Sequence, residues 1–204
     1  MPVIINNIEL PIMPASGYSS SALEREYQEL VSFPLDNEAN ELVRFVLSND
    51  KSHAAVVRAI PDDNDRHQIL TKLEFYAHGE ETFKVARLWE NQDYRQVELV
   101  STDLRSRNSA LATYLYIYCV VVGGMVIFSD NEQTMGGQAL WKNIAKIGQR
   151  LLSVYVFDSS ENAFLLCDKG ERLVYTGGNV DDEDVWSLEP DRTKENVILK
   201  IRKK

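Results

Sequence analysis

The stretch of sequence that decides the predicted fold spans residues 97–152 and reads VELVSTDLRSRNSALATYLYIYCVVVGGMVIFSDNEQTMGGQALWKNIAKIGQRLL. An apolar strand runs into a short polar turn, residues 105–110, and the turn opens directly into a helix. A strand that ends in such a turn leaves backbone N–H groups aimed at one point, with the positive end of the helix dipole behind them. The stretch therefore predicts a site for a phosphate or pyrophosphate group.

The segments before this stretch predict two helices and then a set of strands. Ser19 is placed to cap a helix that runs to about Phe33, and Asp36 or Asn37 is placed to cap a second helix. The apolar face of that second helix is made of Leu42, Val43, Val46 and Leu47. Strands are predicted at residues 3–10, 53–60, 69–77, 82–89 and 95–104. Connectors of hairpin length join the last three, which indicates an antiparallel meander.

The second half of the chain alternates between helix and strand. Helices are predicted at residues 109–122 and 132–147, and strands at 125–128 and 151–157. A hairpin over 163–167 and 171–175 follows, and residues 197–201 are a candidate edge strand. An antiparallel first half that feeds a helix-linked second half indicates an α+β or mixed α/β fold around one sheet.

Length, charge and composition limit the classes of function. The chain has 204 residues, of which 44% are hydrophobic, so we expect one core-forming domain over residues 1–176 and a charged C-terminal segment over 177–204. Within that domain, residues 1–60 hold the first strand and two helices, and residues 61–176 hold the rest. The net charge of -9 argues against direct nucleic-acid binding and favours a cationic partner.

Cysteine usage and the apolar runs indicate the compartment. Cys119 and Cys167 lie in apolar runs and are predicted to be reduced, which is typical of a cytoplasmic protein. The N-terminus lacks the pattern of a signal peptide, and the longest apolar run, residues 111–125, is too short and too polar for a membrane span. We therefore expect a cytoplasmic protein with no membrane partner, and the sequence is compatible with a homodimer.

The order of elements and the turn after the meander resemble the GNAT family of N-acetyltransferases. The acyl-CoA signature of that family is an Arg or Gln, two residues, a Gly, one residue and then Gly or Ala, and Arg105, Asn108 and Ala110 occupy its positions here. Downstream, a Ser-Asp, a Gln-Thr, small residues and a Leu-Trp resemble phage-encoded GNAT-like proteins. The resemblance covers residues 69–157. It implies an α+β fold with a central, mostly antiparallel sheet flanked by helices, and the host cytoplasm as the compartment of a phage-encoded chain.

The resemblance also implies acetyl-CoA as the cofactor and an amine, on a small molecule or a protein, as the acceptor. The cofactor-binding residues that it implies are Leu104, Arg105, Arg107, Asn108, Ser109 and Ala110. Residues 61–176 then form the meander and the acyl-CoA half of the domain. The alternative interpretation of these residues is an ordinary solvated strand-to-helix turn with two surface arginines.

Three residues are candidates for catalysis. Glu98 occupies a place where the family often has a carboxylate that deprotonates the acceptor amine, although strand alternation favours a solvent-facing side chain. Asp130 closes a strand and is a candidate base, with a helix cap as the preferred interpretation. Tyr155 is the alternative proton donor, because Trp141 takes the place of the family's tyrosine and an indole N–H cannot serve. The alternative for Tyr155 is a half-buried sheet residue.

Two further classes of function stay open. Asn108 in place of glycine, together with Trp141, favours a catalytically degenerate protein of this fold that acts in binding or as a virion-associated component. The other is an α/β interaction module without a cofactor. His53, His67 and His78 are isolated in the sequence, so no metal site is predicted, and no sequence motif of a nucleophile is present.

Overall fold

The computed structural model describes residues 3–4, 17–35, 41–77, 85, 93–103, 106, 110–188, 191 and 193–204. The strands in this part of the chain are Val3–Ile4 (β1), Gly17–Ser19 (β2), Tyr27–Pro34 (β3), Leu42–Ser48 (β4), His53–Arg58 (β5), Arg66–Phe75 (β6), Tyr94–Thr102 (β7), Val126–Phe128 (β8), Glu132–Gln133 (β9), Leu152–Asp158 (β10), Ala163–Phe164 (β11), Ser187–Leu188 (β12) and Val197–Lys203 (β13). Its helices are Ser20–Glu26 (α1), Leu111–Val121 (α2), Met135–Gly148 (α3) and Asp182–Val185 (α4).

The chain divides into two compact units. The first comprises Met1–Glu9, Tyr76–Val97 and Gly124–Lys204, and the second comprises Leu10–Phe75 and Glu98–Gly123. The boundary falls inside β7, so the start of this strand belongs to the first unit and its end to the second. Apart from the divided β7, each unit has its own strands, its own helices and its own core.

The second unit is a sheet with a helix on each face. Its strands pair in the order β6-β5-β4-β3, antiparallel throughout, with β2 on the other side of β6. Leu23 of α1 and Tyr27 pack on one face against Val46 and Ala55. Phe45 points to the opposite face, where its ring lies 5.3 Å from that of Tyr118 in α2. Strand β4 is therefore buried on both sides.

The first unit is built around β8, β13 and β10. Strand β13 lies between β10 and β8 and is antiparallel to both, while β8 is parallel to the start of β7. One face of these strands carries an aromatic cluster that includes Tyr94, Phe128 and Phe157. Helix α3 packs against β10 and buries Trp141 and Ile144. A small parallel sheet, in the order β12-β1-β9, completes the unit.

The predicted α+β fold, a GNAT-like and mostly antiparallel sheet flanked by helices, is wrong. Strands make up 43% and helices 23% of the structure, whose four described helices are all short, so it is a strand-rich mixed-sheet protein. The hydrogen-bonded order is β11-β10-β13-β8-β7 in the first unit and β7-β6-β5-β4-β3, with β2 on β6, in the second, which makes ten strands. Parallel pairing of β7 with β8 makes the arrangement mixed.

Two predicted helices account for most of this error. Ser19 does cap α1, because its hydroxyl accepts a hydrogen bond from the Ala22 N–H, but the helix ends at Glu26 and residues 27–34 form β3. The second predicted helix is β4. A strand buried on both faces lacks simple alternation, so its apolar residues match a helical spacing equally well.

The remaining predicted elements fare better. Strands β5, β6, β7, β8 and β10 and helices α2 and α3 are confirmed, with ends shifted by a few residues. The predicted strand over residues 82–89 lies outside the described residues except for Val85. The C-terminal strand, β13, is an interior strand and not an edge strand. Among the described residues, no helix combines the length and the apolar character that crossing a bilayer requires.

Replacement of Gly177 by alanine tests the packing of the first unit. Gly177 has a φ of +85°, and a Cβ there would lie 2.5 Å from the carbonyl oxygen of Lys142 in α3. We expect Gly177→Ala to lower the free energy of unfolding by about 1–3 kcal/mol, measured by urea denaturation. Gly178→Ala is the matched control, because a Cβ there meets no heavy atom within 4 Å. Equal losses in the two variants would contradict this packing.

Candidate functional site

The cofactor-binding turn predicted from the sequence lies mostly outside the described residues. Leu104, Arg105, Arg107, Asn108 and Ser109 belong to that undescribed part, so their role stays a prediction. Ala110 is described: it precedes α2 with a φ of 56°, in the left-handed region, and has no side-chain cap. An alanine held in that conformation marks a tight entry from the turn into the helix.

Strands β7 and β8 pair over three residues each, and the pairing then ends. Their parallel pairing covers Tyr94 with Val126, Arg95 with Ile127 and Gln96 with Phe128. Ser129 no longer pairs with β7. Its N–H donates to the carbonyl of Leu199 on β13 over 2.9 Å, and its hydroxyl accepts from the Leu199 N–H over 3.0 Å. The chain thus turns away from β7 towards β13.

The side chain of Gln96 bridges the place where the two strands separate. Its Nε2 donates to the carbonyl oxygen of Ser129 over 3.2 Å, and the side chain is fully buried at 0% exposure. A buried carbonyl needs a donor, and here a side-chain amide takes the place of a strand neighbour. Gln96 and Ser129 therefore fix the opening between β7 and β8.

Sequence reasoning missed Gln96, although a signal for it was present. Gln96 lies in a strand between Tyr94 and Val97, both of which are buried. A glutamine among buried neighbours in a strand must find hydrogen-bond partners inside the protein, so its replacement usually changes the stability of the fold. The partner itself is not predictable from the sequence, because Ser129 lies 33 residues further along the chain.

Asp130 follows the opening directly and does not cap α3. The cap of that helix is Thr134, whose hydroxyl accepts a hydrogen bond from the Gly137 N–H over 3.1 Å. The preferred interpretation of Asp130 as the helix cap was therefore wrong. The Asp130 carboxylate is half-buried and accepts from the N–H of Asn131 over 2.6 Å. It is held at the carboxyl end of a parallel strand, where open sheets that contain parallel strands bind ligands.

The other two candidate catalytic residues lie elsewhere. Glu98 is on β7 with its side chain exposed, next to the buried Val97, which fits the predicted solvent-facing position. Tyr155 is on β10, opposite Lys200 of β13, which in turn lies opposite Phe128 of β8. Two strand spacings of about 4.8 Å therefore separate Tyr155 from β8. The structure does not bring Tyr155 to the end of β8 beside Asp130.

Tyr155 instead belongs to a row of rings and cations. Arg202 donates to the Tyr155 hydroxyl over 3.4 Å, and its guanidinium lies 5.4 Å from the centre of the ring. The next ring, that of Phe164, lies 6.0 Å from Tyr155 and has the Arg172 guanidinium 4.2 Å from its centre. Burial raises the pKa of Tyr155, but hydrogen bonds with Ser153 and Arg202 and the charges of the arginines hold it below the ordinary value.

Comparisons with family models, with curated proteins and with solved structures found no match to this chain. Among the described residues, no three or more His, Cys, Asp or Glu side chains form a group that could hold a metal ion. The geometry at Gln96, Ser129 and Asp130 therefore stands by itself as the basis for a functional proposal.

Replacement of Gln96 tests whether its amide fixes the opening. We expect Gln96→Met, which keeps the length of the side chain and removes its donor, to lower the free energy of unfolding by about 1–3 kcal/mol, since the Ser129 carbonyl is left buried without this donor. Denaturant unfolding measures the loss. Gln28→Met on β3 is the control, because Gln28 is exposed. A Gln96→Met protein as stable as this control would contradict the assignment.

The ionisation of Tyr155 tests its interaction with Arg202. We expect Arg202→Met to raise the pKa of Tyr155, because a hydrogen bond and a positive charge that stabilise the phenolate are removed. NMR titration of tyrosine labelled at Cζ resolves this residue from the other tyrosines. Lys169→Met, an exposed position in the hairpin after β11, is the control. An unchanged titration in Arg202→Met would show that the contact is absent in solution.

Proposed function

We propose that this chain is an acyl-CoA-dependent N-acyltransferase, with acetyl-CoA as the donor and an amine as the acceptor. The observation that carries the proposal is the opening of the parallel β7–β8 pair after Gln96 and Phe128. Parallel strands that separate leave room between their carboxyl ends for an extended ligand, and the strand edge beyond the opening presents backbone N–H and C=O groups.

The chemistry of the cofactor suits such an edge. The pantetheine arm of coenzyme A is extended and carries amide groups, which can pair with a strand as another strand does. Val97, the first residue of β7 beyond the opening, is buried, so this part of β7 is shielded from water. Shielding strengthens hydrogen bonds to the carbonyl oxygen of the thioester as negative charge develops on it.

Asp130 is the side chain best placed to act as the base. It takes the proton from the attacking amine, the amine nitrogen forms a bond to the acyl carbon, and the carbon–sulfur bond breaks to release the thiolate of coenzyme A. Glu98 stays the second candidate for this role, on the sequence resemblance alone. The net charge of -9 favours a cationic acceptor, because it raises the local concentration of positive molecules.

A second candidate function is binding of the acyl-CoA or another ligand without catalysis, as in a degenerate or virion-associated protein. The burial of Trp141, which is only 2% exposed in the core of the first unit, favours it. Tyr155, the alternative proton donor, lies two strands away from β8. The leaving thiolate then has no assigned proton donor among these candidates.

Calorimetry with acetyl-CoA, followed by an assay of free thiol with a diamine acceptor, separates these functions. We expect saturable binding, and turnover that Asp130→Asn abolishes without weakening binding, because the amide keeps the shape of the residue and loses its basicity. Glu98→Gln is the matched variant at the second candidate base. Binding without turnover in the native protein would support the second candidate, and no heat at millimolar cofactor would contradict the transferase and any binding of acyl-CoA.

A double variant tests the predicted phosphate turn separately. We expect Arg105→Ala with Arg107→Ala to weaken acetyl-CoA binding about tenfold or more, because two charge-assisted contacts to the pyrophosphate are lost. Lys169→Ala and Lys204→Ala together form a control with the same change of net charge, made at positions that the sequence does not assign to the cofactor. Unchanged affinity in the Arg105 and Arg107 variant would mean that the pyrophosphate is held elsewhere.

A further inference from the structure

Two arginines and two aromatic rings meet on one face of the strands that end the first unit. Strand β10 pairs with β13 in a register that puts Tyr155 and Arg202 on the same face. Phe164 of β11 lies opposite Phe157 of β10 and therefore shares that face. Arg172 comes from the returning half of the hairpin that begins with β11. We call Tyr155, Phe164, Arg172 and Arg202 the arginine–aromatic cluster.

Each arginine of this cluster lies against a ring. The guanidinium carbon of Arg172 is 4.2 Å from the centre of the Phe164 ring, and that of Arg202 is 5.4 Å from the centre of the Tyr155 ring. The centres of the two rings are 6.0 Å apart. Contact with a ring uses the flat face of a guanidinium and not the N–H donors at its edge. The rings therefore hold two cationic groups near each other through their faces.

Burial differs between the rings and the arginines. Tyr155 is 8% exposed and Phe164 is half-buried, whereas Arg172 and Arg202 are both exposed. Arg202 donates to the Tyr155 hydroxyl over 3.4 Å, and a guanidinium has five N–H donors, so this hydrogen bond uses one of them. The cluster therefore consists of two solvent-accessible guanidiniums on a buried aromatic base.

The electrostatic surroundings of the cluster favour a negative charge, although the chain carries a net charge of -9. Burial alone raises the pKa of a phenol. The pKa of Tyr155 nevertheless lies below its ordinary value, because hydrogen bonds with Ser153 and Arg202 and the charges of Arg202 and Arg172 stabilise the phenolate. The influence of both arginines on one hydroxyl also shows that the two cations act on the same place.

We propose that the arginine–aromatic cluster binds a small molecule through a phosphate or pyrophosphate group. A guanidinium presents its N–H donors in a planar fork that matches two phosphate oxygens, and two guanidiniums together balance the charge of a dianion. A nucleic acid fits less well, because the acidic remainder of the chain repels a polyanion. The ligand is held by charge-assisted hydrogen bonds, and no covalent step is involved.

This site is separate from the proposed acyl-CoA function. Its four residues all lie in the first unit, and none belongs to the opening between β7 and β8 or to the predicted turn at residues 105–110. Inorganic pyrophosphate is the probe, because it has neither an acyl group nor a pantetheine arm. Protein that binds pyrophosphate at the cluster without binding acetyl-CoA would support this site and contradict the acyl-CoA function alone.

The ionisation of Tyr155 reports on a ligand at the cluster itself. We expect saturating pyrophosphate to raise the pKa of Tyr155, followed by NMR of tyrosine labelled at Cζ, because a negative ligand disfavours the phenolate. Sodium chloride at the same ionic strength is the matched control, and should have a smaller effect because it only screens the charges. A pKa that pyrophosphate leaves unchanged, or that chloride raises equally, would overturn the proposal.

Variants test which side chains hold the ligand. We expect Arg172→Met and Arg202→Met each to weaken pyrophosphate binding about tenfold or more in calorimetry, because charge-assisted contacts are lost. Lys169→Met, with the same change of net charge in the same hairpin, should keep the native affinity. Phe164→Leu retains every charge and should weaken binding about threefold, because the Arg172 guanidinium loses its ring. Native affinity in both arginine variants, or an equal loss in Lys169→Met, would overturn the proposal.

A single-stranded oligonucleotide is the comparison ligand. We expect it to bind more weakly than pyrophosphate at the same salt concentration, because the acidic chain repels it. Tighter binding of the oligonucleotide, with the same dependence on Arg172 and Arg202, would assign the cluster to a nucleic acid and overturn the proposal of a small phosphate ligand.

Discussion

Ser129 is hydrogen-bonded to a strand on each side, and the arrangement of strands in the first unit depends on these hydrogen bonds. Its N–H and hydroxyl are hydrogen-bonded to Leu199 on β13, while its carbonyl is bonded to the side chain of Gln96 on β7. A strand that is paired on both sides normally keeps its backbone hydrogen bonds to both neighbouring strands along its length. Here the N–H of Ser129 is hydrogen-bonded to β13, and the hydrogen bond between Ser129 and β7 is made by the side chain of Gln96. The two parallel strands can separate at this point without leaving the Ser129 carbonyl unsatisfied.

The sequence predicted the elements around this opening much better than those of the second unit. Strands β8 and β10 and helix α3 were each predicted, because short apolar runs alternate there with clear turn residues. Strand β4 was not, since Val43, Phe45 and Leu47 face one helix while Val46 faces the other. Its burial on both faces comes from tertiary packing, which local periodicity does not report.

Predictions about individual side chains depended on how local their interactions are. The Ser19 cap was found because its partner, the Ala22 N–H, lies three residues away. The cap of α3 was misplaced by four residues, from Asp130 to Thr134, because several polar residues in a row are able to cap a helix. The sequence did not predict the contact of Gln96 with Ser129 or that of Ser20 with His67. Their partners are brought together only by strand pairing between distant parts of the chain.

Hydrogen–deuterium exchange with acetyl-CoA tests the central claim most directly, because it reports on backbone amides at the opening itself. If the cofactor pairs with β7 directly beyond Gln96, the amides of Val97 and of residues 129–131, all in the first unit, should exchange more slowly when it is bound. Coenzyme A without the acyl group should protect the same amides. Binding that leaves the exchange of these amides unchanged, or that protects only amides elsewhere in the chain, would contradict the account.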